Sequence, residues 1–101
     1  LVFILQRGVR FPQGPPNMPY FVYMILTKQK DNFTSYVGYT NDLTKRLLLH
    51  NNSRGAKFTK GRKWKLIYYK KYSTKSNAMK GEYRLKKDYK LRNLIKANFL
   101  K

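Results

Sequence analysis

What this sequence lacks already excludes several classes of function. None of its 101 residues is cysteine, which excludes disulfides, a thiolate nucleophile and a cysteine-ligated zinc site. A single histidine excludes a histidine-rich metal cluster. Only four residues are acidic, so chemistry that needs several carboxylates is excluded as well. No stretch approaches the roughly 20 apolar residues of a transmembrane helix, and the apolar residues 1–5 lack the basic flank of a secretory signal. We therefore expect a cytoplasmic protein, nucleoid-associated if bacterial.

Basic and aromatic residues are abundant instead. Lys and Arg number 23, which gives a formal net charge of +19, and 16% of the residues are aromatic. With 42% hydrophobic residues the chain has enough apolar material for one small core, so we expect a single folded domain. Dense Lys and Arg release counterions when they neutralise phosphates, so nucleic acid is the expected partner. A membrane surface is not expected, because no basic amphipathic helix is long enough to lie on one.

The order of apolar and polar segments predicts a small mixed domain. Residues 1–17 are set apart as an expression remnant or a disordered extension, although residues 1–5 are apolar enough to add an edge strand. For the domain, residues 18–101, we expect an α/β (α+β) fold: a small three-stranded, mostly antiparallel sheet flanked by helices, in the order β-β-α-β-α-α. The expected elements are strands over 21–27 and 35–40, a helix from Asn41 or Asp42 to about His50, a strand over 66–72, and helices over about 75–87 and 89–99.

The only glutamate, Glu82, is the candidate metal ligand. On a helix it shares a stripe with Ala78 and Leu85, so its carboxylate emerges from the face expected to be buried. An acid there is costly unless it is paired, hydrogen-bonded or bound to a metal, and carboxylate oxygens suit Mg²⁺. The alternative is a solvated ion pair with Lys86 at i+4. One suitably placed carboxylate argues against a two-metal mechanism.

Two pairs of polar residues are further candidates for a catalytic site. Arg46 and His50 project from one face of the first helix, and a guanidinium matches phosphate oxygens. Tyr23 and Tyr36 lie on adjacent strands, where surrounding cations and a metal would favour a phenolate. The alternatives are a solvated helix charge for Arg46, a helix C-terminal histidine for His50, and aromatic packing for both tyrosines.

A basic loop between the first helix and the third strand is the candidate nucleic-acid contact. Basic side chains can track phosphates while aromatic rings stack on unpaired bases. The alternative is that Phe58 and Trp64 fill the core, which we expect for Trp64 and leave open for Phe58. The basic and aromatic residues of the loop are Arg54, Lys57, Phe58, Lys60, Arg62, Lys63, Trp64 and Lys65.

Several short motifs follow one another in a characteristic order. They are Val22-Tyr23-Met24, Tyr36-Val37-Gly38, Thr40-Asn41-Asp42-Leu43 leading to Arg46 and His50, residues 55–62 (GAKFTKGR), and Ala78-x-x-x-Glu82. Over about residues 19–88 this set resembles the GIY-YIG nuclease superfamily, and in particular its small stand-alone bacterial (YhbQ-like) group. The chain reads VYM and YVG at the two namesake motifs, and Tyr39 stands where several relatives have lysine.

The resemblance implies roles for the candidate residues. Glu82 would hold a single Mg²⁺ (or Mn²⁺), Arg46 would bind the scissile phosphate, and Tyr36 would activate water beside Tyr23. These roles could be exchanged between the tyrosines or shared with His50. The implied function is a metal-dependent endonuclease that hydrolyses phosphodiester bonds of nucleic acid, with DNA of the repair or recombination type preferred and an accessory protein conferring specificity.

Two other functions remain open from the sequence. A non-catalytic basic DNA- or RNA-binding module would have the same charge but no turnover. A catalytic fragment of a homing or repair nuclease would have its DNA-recognition domain elsewhere in the gene.

Overall fold

Three long strands form an antiparallel sheet at the centre of the molecule. The structure, a computed structural model, describes residues 2–3 and 19–101. The strands are β1 (Val2–Phe3), β2 (Tyr20–Gln29), β3 (Asn32–Thr40) and β4 (Lys65–Tyr72), in the spatial order β1-β4-β2-β3. The short β1 adds antiparallel to the outer edge of β4. The predicted three-stranded sheet is therefore confirmed, with a two-residue edge strand where residues 1–5 allowed one.

Three helices complete the domain, and each begins at a side-chain cap. They are α1 (Leu43–Asn51), α2 (Lys75–Lys87) and α3 (Tyr89–Phe99). The Asp42 carboxylate accepts from the Lys45 backbone N–H at 3.0 Å, and the Thr74 hydroxyl accepts from that of Asn77 at 3.1 Å. Asp88 ends α2 and starts α3, because its carboxylate accepts from the Leu91 N–H at 3.0 Å. The predicted order of elements is confirmed.

The central position of β2 explains its unbroken apolar sequence. It pairs with β3 on one side and β4 on the other, so residues 21–27 are all buried. Alternate side chains enter two clusters. Val22, Met24 and Leu26 pack towards α2 and α3, and Phe21, Tyr23 and Ile25 pack with Leu43 and Trp64.

The structure corrects the strand limits and the description of the basic loop. The hairpin β2–β3 pairs up to Gln29 and Asn32, so both strands run further towards the turn than predicted. The loop contains one 3₁₀ turn, Lys57–Thr59, that the sequence did not indicate. The boundary proposed at residue 17 falls outside the described residues. In the described part of the chain, no helix is long and apolar enough to cross a bilayer.

Candidate active site

Tyr23, Arg46 and His50 meet on one face of the sheet. The Tyr23 hydroxyl lies 2.7 Å from His50 Nε2, and Arg46 Nε donates to the same hydroxyl at 3.4 Å. Strand β2 supplies the tyrosine, and one turn of α1 separates the other two residues. The i, i+4 spacing of Arg46 and His50 therefore places both on the face that packs on Tyr23.

The hydrogen bonds of Thr59 determine the tautomer of His50. The Thr59 hydroxyl donates to the carbonyl oxygen of Ala56 at 2.9 Å and lies 2.8 Å from His50 Nδ1. Because the hydroxyl proton is used, Thr59 Oγ1 accepts from a protonated Nδ1. Nε2 of the neutral imidazole then carries a lone pair and accepts the proton of the Tyr23 hydroxyl. His50 is thus oriented as a proton acceptor for Tyr23.

Burial controls the ionisation of this pair. The Tyr23 pKa is raised to about 12, first by burial, although the hydrogen bond and charge of Arg46 act to lower it. The His50 pKa is lowered to about 4 by burial and then by the charge of Arg46. Arg46 lowers the Tyr23 pKa, as expected of a nearby cation, but the loss of solvation is the larger effect and has the opposite sign.

Two glycines leave room for the rings of these residues. A Cβ at Gly38 would lie 2.5 Å from the Tyr23 hydroxyl oxygen, because Gly38 is the cross-strand partner of Tyr23. A Cβ at Gly55 would overlap the His50 imidazole. The glycine of the second motif and the first glycine of the GAKFTKGR segment are therefore required by close approach.

Tyr36 lies on the same face of the sheet but is not the direct cross-strand partner of Tyr23. It pairs with Ile25, which places it diagonally from Tyr23, two residues along β3. Its ring meets that of His50 edge-on at 5.2 Å between centroids and stacks on Phe58 at 6.1 Å. Arg46 interacts with both phenols, and these contacts raise the Arg46 pKa, with the hydrogen bond to Tyr23 as the largest cause.

Glu82 belongs to the same region. Its negative charge acts on Tyr23, where it raises the phenol pKa, so the two groups lie within electrostatic reach. Its side chain is 19% exposed, and Lys86 Nζ lies 3.8 Å from Oε1. The expected stripe is observed, since Ala78 and Leu85 are buried. The alternative ion pair with Lys86 is observed too, at a separation close to the limit for such pairs.

The other three acids of the described chain lie at helix ends or in a turn. Asp42 and Asp88 cap helices, and Asp31 lies in the hairpin turn. Within residues 2–3 and 19–101, no group of three or more His, Asp or Glu side chains could hold a metal ion. A cation at this site would therefore have at most two ligands of these types among the described residues.

The basic loop divides into a buried part and an exposed part. Trp64 is 3% exposed and its Nε1 donates to the Thr59 carbonyl at 3.0 Å, so it belongs to the core, as expected. Phe58 is 49% exposed, with the Arg62 guanidinium 4.9 Å from its ring centre. The ammonium of Lys63 donates to the Asn51 carbonyl at 3.2 Å. The remaining predicted contacts Arg54, Lys57 and Lys60 are exposed.

Three residues of this region were missed by sequence reasoning. Thr59 and Gly55 contact His50, and Arg92 of α3 lines a cavity beside Tyr36. Thr59 and Gly55 belong to the GAKFTKGR segment, which the sequence singled out. It was interpreted only as a contact for nucleic acid and not as a support for His50. Nothing in the local sequence distinguishes Arg92 from the other cations of the helices.

Comparison with known proteins places the chain in a family. Residues 19–96 match the model of the GIY-YIG catalytic domain. The chain is 49% identical over 69 residues to UPF0213 protein YazA of Bacillus subtilis, covering 67% of each chain. It is 45% identical over 65 residues to UPF0213 protein SSP2268 of Staphylococcus saprophyticus, covering 63% of this chain and 78% of that one. No solved structure matches.

The matched segment contains the whole sheet except β1, and all of the residues that meet at Tyr23. This chain therefore belongs to the GIY-YIG family, a nuclease superfamily, and is similar within it to the small bacterial UPF0213 proteins.

Proposed function

We propose that this protein is a metal-dependent endonuclease that hydrolyses phosphodiester bonds in DNA, of the type that acts in repair or recombination. The observation that carries the proposal is the 2.7 Å contact between the Tyr23 hydroxyl and His50 Nε2, beside Arg46. A phenol linked to a base and next to a guanidinium can take a proton from water where a phosphate binds.

Arg46 is assigned to the scissile phosphate. Its hydrogen bond to Tyr23 is 3.4 Å long, which is weak, whereas guanidinium–phosphate contacts are charge-assisted and often bidentate. Arg46 therefore exchanges the phenol for a phosphate at little cost. The exchange leaves the Tyr23 oxygen with a free lone pair for the attacking water.

Tyr23 and His50 are assigned to proton transfer. An isolated phenolate–imidazolium pair is strongly disfavoured, because one pKa is raised to about 12 and the other lowered to about 4. Each unit of difference between the two pKa values corresponds to about 1.4 kcal/mol of free energy for the proton transfer. Tyr23 therefore accepts the proton of water as its own proton moves to His50 Nε2. A phosphate on Arg46 assists, since the charge of Arg46 is the second cause that lowers the His50 pKa.

This assignment gives Tyr23 the role that the resemblance implied for Tyr36. Tyr23 has a base as hydrogen-bond partner, whereas Tyr36 is partly exposed and borders the cavity that faces solvent. Tyr36 is thereby suited to contact substrate and to hold Arg46 in place.

Glu82 is the proposed ligand of a single divalent cation. The donor set fits Mg²⁺, which is commonly held by one or two carboxylates and retains several waters. Lys86 at 3.8 Å is a weak competitor for the carboxylate. When bound, the cation supplies positive charge for the phosphoryl oxygens and for a nearby phenolate.

Replacement of Glu82 tests the proposal. With Mg²⁺ or Mn²⁺, the wild-type protein is expected to cut nicked, branched or single-stranded DNA, scored by product length on a denaturing gel. Glu82→Gln should lower the cleavage rate at least about a hundredfold, a typical loss when transition-state charge stabilisation is removed. DNA binding should persist, because the change removes no basic side chain.

The matched control is Asp31→Asn, which makes the same change of charge in the hairpin turn and should cut normally. Equal activity of the Glu82 and Asp31 variants would show the metal assignment to be wrong. Salt-sensitive binding without products on any of these DNAs would favour the non-catalytic binding module.

A further inference from the structure

A cavity of about 300 Å³ opens beside the candidate active site, at the edge of the sheet. Strand β3 forms one wall, and Phe58 of the basic loop and the helices α2 and α3 complete it. The volume accommodates a sugar–phosphate group, since one water molecule takes about 30 Å³. Its lining residues are Ser35, Tyr36, Val37, Phe58, Lys86 and Arg92.

The polar lining of this cavity consists of two cations and two hydroxyl groups, with no acid. Arg92 Nε is buried and has no hydrogen-bond partner among the residues that the structure describes. A buried guanidinium N–H without an acceptor is costly. Arg92 also lines the cavity, where the terminal N–H groups of its guanidinium are the donors for a bound anion. Lys86 lies 3.8 Å from the Glu82 carboxylate, a weak contact, and is 52% exposed.

Tyr36 connects the cavity to the candidate active site. Its phenol interacts with Arg46, and the same residue lines the cavity. A strand whose scissile phosphate lies on Arg46 would pass Tyr36 and bring its next phosphate towards Arg92. Ser35 and Val37 flank Tyr36 on the same strand, and Ser35 offers a hydroxyl donor for phosphate oxygens.

We propose that this cavity binds the phosphate adjacent to the scissile phosphate in a nucleic-acid strand, with Arg92 and Lys86 as its cationic ligands. The inference rests on the proposed function, since it takes the phosphate on Arg46 as the scissile one. It adds a second anionic subsite between α2 and α3, beside the residues that meet at Tyr23.

The experiment compares a nucleotide that carries one phosphate with a nucleotide that carries two. Thymidine 5′-phosphate and thymidine 3′,5′-bisphosphate are titrated into the full chain in EDTA, with binding followed by NMR. The bisphosphate is expected to bind about tenfold more tightly, the gain of one charge-assisted contact. The Arg92 Nε–H signal should shift with the bisphosphate and much less with the monophosphate. This signal is read in the wild-type protein and needs no variant.

Arg92→Gln should abolish the tenfold advantage of the bisphosphate. The matched control is Arg84→Gln, because Arg84 is an exposed helical arginine that does not line this cavity and should leave the advantage intact. Equal affinity for the two nucleotides in the wild-type protein would overturn the inference, as would an advantage that survives in Arg92→Gln.

The inference and the proposed function can fail separately, because binding in EDTA requires no turnover. If the bisphosphate binds more tightly through Arg92 but the protein cuts no DNA, the subsite is supported and the proposed hydrolysis is refuted. Glu82-dependent cleavage without any bisphosphate advantage would refute the subsite alone.

Discussion

At the scale of single residues, His50 is the most constrained polar side chain of the site. It is 0% exposed and both ring nitrogens are engaged, by Tyr23 and by Thr59. Its position at the end of α1 was predicted, but as a choice between catalysis and a favourable contact with the helix C-terminus. Burial favours the neutral form, so a charge–dipole contact at the helix end is not its main role.

We expect the His50 imidazole to be protonated on Nδ1 and to titrate near pH 4, because burial and Arg46 lower its pKa. The measurement is a long-range ¹H–¹⁵N NMR spectrum across pH. The chain contains one histidine, so the ring signals are unambiguous. Thr59→Val removes the acceptor of Nδ1 and should shift the tautomer balance towards protonated Nε2. A pKa near 6.5 in the wild-type protein would contradict the expectation.

The same shift makes stability depend on pH. The folded pKa of His50 lies below the unfolded value, so the unfolded chain binds the proton first as pH falls. The contribution of His50 to the free energy of unfolding has its full value above about pH 6.5. It decreases by about 1.4 kcal/mol per pH unit as the pH falls towards about 4. Denaturant unfolding of the wild-type protein and of His50→Gln should separate this contribution from that of the carboxylates.

At the scale of elements, the basic loop acts as a support for α1 and His50. The Asn51 side-chain oxygen, at the end of α1, accepts from the Trp64 backbone N–H at 2.6 Å, and its amide donates to the Trp64 carbonyl at 3.2 Å. Thr59, which lies in the chain between Asn51 and Trp64, contacts His50 Nδ1. The loop therefore combines an inner side that fixes the histidine with an outer side of exposed cations.

Two glycine substitutions in this loop should have different consequences. Gly55→Ala places a methyl group in the His50 imidazole and should displace the ring, altering its NMR signals and lowering the cleavage rate at least about tenfold. Gly61 has a φ of 74° and no atom near its Cβ position. Gly61→Ala should cost about 1 kcal/mol of stability through backbone strain and leave the His50 signals unchanged. Similar His50 spectra for the two variants would contradict the steric explanation.

The helices and strands could largely be predicted because their signals are local. The predicted limits of α2 and α3 agree with the structure, since a cap residue begins each helix and polar caps are visible in sequence. The extra strand residues near Gln29 and Asn32 could not be predicted, because polar residues are paired there by the hairpin register.

The contacts of Thr59 and Arg92 within the candidate site could not be predicted from the sequence. The approach of Thr59 to His50 depends on how a loop folds back on a helix. Arg92 reaches the cavity because Asp88 ends one helix and starts the next. Such relations join segments that have no local pattern in common.

At the scale of the whole molecule, the uneven charge has a structural explanation as well as a functional one. The net charge is +19, and two of the four acids are used as helix caps. Lys and Arg therefore dominate the surface that a polyanion would meet. Such a surface attracts nucleic acid of any sequence, so selectivity must come from the shape of the site or from a partner.

Affinity for single-stranded DNA should fall linearly with salt on logarithmic scales. Lys57→Gln combined with Lys60→Gln should reduce the magnitude of the slope by about 0.7 for each phosphate that is no longer neutralised. The matched control is Lys70→Gln combined with Lys71→Gln, a pair of exposed lysines of β4 outside the loop, which should change the slope less. Fluorescence anisotropy at a series of salt concentrations measures the slope, and equal slopes for the loop and control variants would argue against DNA binding by the loop.

The two glycines that face Tyr23 and His50 have a practical consequence for engineering. Replacement of glycine by alanine is a standard way to stabilise a protein, because it restricts the unfolded chain. At Gly38 and Gly55 the added methyl group would enter the space of the Tyr23 and His50 rings. A thermostable version of this protein must therefore gain its stability elsewhere, because alanine at these two positions would displace buried rings and destabilise the fold.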